Sequence, residues 1–182
     1  MKKFVSIALV LAMALSLVAC GGKEAATPTE EQAAVVTLEG TMEELLNKVV
    51  EQQPVEFMGG VMPVDLTDTS EDGMWALKAF TGLDSAELIT EAAAFEPMIG
   101  AIPFSMVMVR VADAANAQTV AEAMKAGIDQ RKWICVEADD LMVAGYGDVV
   151  MLIMVGSDTG LTSQSYVDAF KSVAGAELDF AI

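Results

Sequence analysis

The run Asp68-Thr69-Ser70-Glu71-Asp72-Gly73 places oxygen-bearing side chains at positions 1, 3 and 5 and glycine at position 6. That is how a calcium-binding loop of the helix–loop–helix type begins. The pattern then breaks. Position 12, where a bidentate glutamate is needed, is Ala79, and position 8 is the bulky Trp75. Asp65 to Asp72 is therefore read first as a solvated acidic turn, with a calcium-responsive module as an alternative. Glu137, Asp139 and Asp140 form a second acidic group. Paired carboxylates can perform acid–base hydrolysis when held at a fixed separation across a cleft. An envelope hydrolase using acidic residues is thus a second alternative, although Trp75 and Trp133 are the only tryptophans available to line such a cleft.

Other constellations are weaker. Asp158-Thr159-Gly160 is the triplet of aspartic proteases, but no second copy exists to complete a dyad. Met106 and Met108 have the spacing of a soft-metal pair but lie in an apolar run, where methionine serves as core filler. Arg131-Lys132-Trp133 is the one basic cluster of the domain; it could bind an anion or wall polymer, or it could complement the dipole of a preceding helix. Cys135 lies in the apolar run Trp133-Ile134-Cys135-Val136 and is expected to be a buried structural thiol. The chain has no histidine at all. This excludes a Ser-His-Asp triad, a Cys-His pair, an HExxH zinc site and a histidine pH switch. No catalytic residue, cofactor or metal is assigned.

The 182 residues carry 27 acids and 10 bases, a formal charge of -17. Such a balance argues against binding bare nucleic acid, which calls for clustered Lys and Arg. Residues 1–19 have Lys2 and Lys3 ahead of an apolar run from Phe4 to Ala19, too short for a membrane span, and read as a secretory signal peptide. Leu17-Val18-Ala19-Cys20 resembles the lipobox of bacterial lipoproteins. The resemblance implies cleavage before Cys20 and a diacylglyceryl group on its thiol, anchoring the protein to the outer face of the cytoplasmic membrane. Two acyl chains suffice for stable anchoring. Removal of the signal takes away Lys2 and Lys3, so that -17 becomes -19. Residues 20–40 read as the lipidated cysteine and a flexible tether, although Val35-Val36-Thr37-Leu38 could instead be an edge strand.

Residues 41–182 are expected to form one globular domain. Thr41 and Glu44 have capping-box spacing, and Met42, Leu45, Leu46 and Val49 follow at helical intervals up to Pro54. Residues 55–73 are rich in turn formers. Met74 to Phe80 reads as one or two helical turns closed by Gly82. Ile89–Phe95 and Phe104–Val111 read as paired strands, the second apolar on both faces and so inside a sheet. A helix through Val120 and Ile128 follows. Leu141–Ala144 and Val149–Val155 flank a Gly145–Asp148 turn as a second hairpin, and a last helix carries Tyr166, Val167, Phe170 and Val173. The expectation is an α+β fold: an antiparallel sheet of about four strands in two hairpins, with helices packed on one face.

The span from Ile89 to Gly156 is similar to a family of small lipoproteins of Gram-positive anaerobes that carry a C-terminal domain of unknown function. The shared landmarks are the Phe104–Val111 strand, the helix through Val120 and Ile128, the turn Gln130-Arg131-Lys132-Trp133, and Gly147-Asp148 before Val149-Val150-Met151-Leu152. The resemblance implies a surface location and brings no substrate or catalytic residue. Together these readings give a non-enzymatic, lipid-anchored envelope domain that binds or scaffolds an unidentified envelope partner.

Overall fold

In the computed structural model, which describes residues 36–182, Thr41 opens the first helix, α1 (Met42–Gln52). Its hydroxyl accepts from Glu44 N at 3.2 Å, and Glu44 Oε2 accepts from Thr41 N at 3.1 Å, the expected capping box. Proline at 54 disfavours helical backbone at Gln53, which sits at φ -128° and ψ 84°, and the helix stops. The remaining elements are β1 (Gly59–Pro63), α2 (Glu71–Thr81), β2 (Ile89–Pro97), β3 (Phe104–Val111), α3 (Ala117–Gly127), β4 (Asp140–Tyr146), β5 (Val149–Val155), α4 (Ser163–Ala174) and β6 (Phe180–Ala181). The fold is α+β, with a wholly antiparallel sheet in the order β1-β2-β3-β5-β4-β6.

The sheet has six strands where about four are expected. Both expected hairpins are present, and each gains an edge strand. β1 escapes the sequence pattern because Gly59, Gly60 and Pro63 are turn formers. On an edge they are tolerated, since that side of the strand has no ladder to complete. β6 is only two residues long and pairs with Ala144 and Gly145.

The expectation of helices on one face is corrected: they cover both. In β3, Phe104, Met106 and Met108 face α1 and α4, while Val107, Val109 and Val111 face α2 and α3. Every residue of β5 is buried. Two central strands that are apolar on both sides need cover on both sides, so the domain is built in three layers. Burying a side chain the size of Val or Leu contributes about 1.5–3 kcal/mol, so two apolar layers supply the cohesion of a domain with no disulfide among its described residues.

The register gives the sheet two distinct ends. At one lie the β2–β3 connection, the start of β1 and the end of β5. At the other lie the β4–β5 turn and the C-terminal end of β3, separated from the first by the eight residues of β3, about 26 Å at ~3.3 Å per residue. The chain comes in at this second end. Leu38 N donates to Asp148 Oδ1 at 3.0 Å, and Arg110 Nη2 donates to the carbonyls of Leu38 (3.1 Å) and Gly40 (2.6 Å). Arg110 also pairs with Asp148 and, at 3.5 Å, with Glu91, whose other oxygen accepts from Met42 N at 2.9 Å. Residues 36–40, read as part of the tether, are thus pinned to the domain, though not as a strand.

Candidate functional site

Gly82 ends α2 with φ of +78° and meets the end of α3 backbone to backbone. A Cβ on Gly127 would overlap the Gly82 carbonyl oxygen, and one on Gly82 would overlap the Met124 carbonyl. With no side chain at either position, the two helix ends touch. The segment 128–139, leading from α3 to β4, then folds across the end of α2 and places Lys132 beneath it.

Lys132 inverts the usual rule for its type. Its side chain is only 14% exposed, while the neighbouring Ile134 is 99% exposed. The ammonium donates to Glu96 Oε1 at 2.7 Å, Ser105 Oγ at 2.9 Å and the Ala79 carbonyl at 3.3 Å, so all three of its protons have acceptors. The rings of Phe80 and Trp133 lie 5.3 and 5.5 Å away, in cation–π range. Ser105 is wholly buried and donates to Glu96. A serine beside a lysine raises the question of a nucleophile and its base, which needs no histidine. A base, however, must offer a lone pair. Here the amine is purely a donor and the hydroxyl is sealed from solvent, so the trio acts as a structural tie.

Outside this tie lies a groove of about 600 Å³ between α2 and the 128–139 segment, within the range of small-molecule sites. Trp75 lies on its wall, 72% exposed. The charged groups around it are Lys78, Asp84, Asp129, Arg131 and Lys132 itself. Lys78 pairs with Asp84, Arg131 Nε lies 3.1 Å from Glu137, and Asp129 Oδ1 accepts from Arg131 N at 2.8 Å. Arg131 and Lys132, for which complementing a helix dipole is one of the two readings, lie beyond the end of α3 at Gly127. Lys125 is the cation of that last turn.

The acidic candidates do not converge. Asp65 accepts from the amide (2.8 Å) and hydroxyl (2.7 Å) of Thr67, and Asp68 accepts from Ser70 N at 2.9 Å. These bonds, led by the Thr67 and Ser70 side chains, hold both carboxyls below their ordinary range. Ser70 in turn caps α2 by accepting from Gly73 N. The helix therefore starts at Glu71, inside the stretch that a calcium loop would need as an irregular turn. In the second group, Glu137 turns to Arg131. Asp139 accepts from the amide and hydroxyl of Ser157, chiefly the hydroxyl, which lowers its pKa. Asp140 accepts from the amide and hydroxyl of Ser163. Among the described residues no three Cys, Asp or Glu side chains come together as a metal site. Met106 and Met108 are fully buried, and Asp158 lies on the strand-to-helix connection.

Cys135 is exposed, not buried. The apolar run around it is a surface loop, because Lys132 and Trp133 are the residues that turn inward. Cys20, the expected lipidation site, lies outside the described residues. Neither the Glu96–Ser105–Lys132 tie nor the Trp75 groove is foreseen from sequence. The available signals were a lone Ser105 inside the apolar run of β3 and Glu96 at the end of β2.

Compared with protein families, curated proteins and solved structures, the chain gives no match to any of the three.

Proposed function

We propose that the protein is an exported lipoprotein, anchored through Cys20, whose domain acts in the cell envelope by binding and not by chemistry. The groove carries this reading: it presents an exposed indole, Trp75, while each charged group beside it is already paired or hydrogen-bonded within the fold. Such a surface offers contact area, and its one lining carboxylate outside an ion pair, Asp129, takes the Arg131 amide. The Leu17-Val18-Ala19-Cys20 sequence and the similarity to small lipoproteins of Gram-positive anaerobes support the address. The groove lies on the α2/α3 face beside Glu96 and Ser105, at the end of the sheet away from the entering chain.

Two measurements test the proposal. Cells fed labelled fatty acid should label the wild-type chain and leave Cys20→Ser unlabelled and released from membranes; a Cys20→Ser protein still cleaved and membrane-held would count against the anchor. The full chain in mild detergent should co-sediment with isolated cell envelope, and the Trp75→Ala/Arg131→Ala double variant should do so markedly less. Equal sedimentation of the two proteins would remove the groove from the function.

A further inference from the structure

We infer that the Trp75 groove takes a neutral saccharide, one or two rings of an uncharged glycan; this rests on the binding role proposed above. The argument starts from the indole. At 72% exposure, Trp75 leaves most of a large apolar face in water, and covering it would contribute on the order of a large core side chain. The polar groups around it then select what can cover it. Lys78 and Asp84 cancel one another, as do Arg131 and Glu137. A simple anion would have to share Lys78 or Arg131 with the carboxylate each already holds, and a simple cation would find one lining carboxylate, Asp129, outside an ion pair. An anion would also approach against the chain's overall charge of -17. A wholly apolar ligand would strip water from the same pairs and give nothing back.

A sugar ring satisfies both demands. Its C–H face is flat, apolar and of a size to lie on an indole. Its rim of hydroxyls can donate to Asp84 and Asp129 and accept from Lys78 and Arg131, each hydroxyl doing either. The paired charges remain paired, because a carboxylate has lone pairs, and an ammonium or guanidinium has protons, beyond those used in one contact. The groove volume of about 600 Å³ admits a short oligosaccharide segment and remains open for a longer chain to pass through.

The test uses the full chain in mild detergent and a panel of uncharged oligosaccharides, including tetramers of β-1,4-linked glucose and N-acetylglucosamine. The readouts are tryptophan fluorescence and calorimetry. At least one of them should bind saturably, with Trp75→Ala weakening it at least about tenfold and Trp133→Phe leaving it unchanged in the calorimetric titration. Trp75→Ala changes an exposed residue, so a folded variant is expected, checked by circular dichroism. Sugar concentrations should reach about ten times the ~1 mM dissociation constant of a weak site. No binding by any uncharged sugar, or equal binding by Trp75→Ala, overturns the inference. If sugars fail while envelope sedimentation still depends on Trp75 and Arg131, the saccharide assignment falls and the binding role stands. If that dependence is also missing, both fall.

Discussion

Tyr166 is wholly buried against Phe104, ring centroids 5.2 Å apart, and its hydroxyl meets no hydrogen-bonding group among the described residues. Burial pushes the phenol from its ordinary 10 up to about 12. The group is charged when it loses its proton, so the raised value favours the neutral, folded form. Below pH 10 both folded and unfolded phenols are neutral and the shift contributes nothing. Between pH 10 and about 12 the unfolded chain ionises first, and stability falls as pH rises. In denaturant titrations at pH 7 and pH 11, Tyr166→Phe should lose less stability on going alkaline than the wild type. Lysine ion pairs weaken equally in both proteins, which isolates the phenol. At pH 7 the variant should be as stable as wild type or better by about 1 kcal/mol, because removing an unpartnered buried hydroxyl removes its desolvation cost.

At the scale of elements, the segment 128–139 depends on one side chain. Lys132→Ala leaves Glu96, whose side chain is 13% exposed, without its counter-charge, and should cost about 3–5 kcal/mol in the urea-unfolding free energy. Lys132→Met with Glu96→Gln should recover a large part of that, because no buried charge is then stranded. A loss in the double variant equal to that in Lys132→Ala would mean that the ion pair is not what holds the segment. The helices and central strands were legible in the sequence because each carries its own signal: the Thr41–Glu44 box, the stripe of α3, the two-faced apolar run of β3. β1 was not, because an edge strand can be built from Gly59, Gly60 and Pro63 and looks like a turn. The second helical layer is implied by β3 and β5 being apolar on both faces, which the number of hairpins does not show. The groove was illegible for a different reason. Trp75 and Arg131 are 56 residues apart, and what joins them is the contact of Gly82 with Gly127, which leaves no periodic trace.

At the scale of the whole molecule, 27 acids against 10 bases make the surface self-repelling. The Arg110 and Lys132 pairs are largely shielded from solvent, at 17% and 14% side-chain exposure, and so are little affected by salt. Raising salt from about 0.01 to 0.15 M shortens the Debye length from ~30 to ~8 Å and should screen the repulsion more than the pairs. The melting temperature is expected to rise by a few degrees, at about 2–4 °C per kcal/mol for a chain of this size. A fall would mean that exposed pairs such as Lys78–Asp84 and Lys171–Glu177 outweigh the repulsion. The sheet's two ends carry one more consequence, a mechanical one. If the protein is tethered through residues ahead of Val36 while its groove holds a fixed structure, tension between anchor and load runs along the strands. The first part to feel the pull is Arg110, gripping the carbonyls of Leu38 and Gly40, so that guanidinium works as a strain relief between the leash and α1.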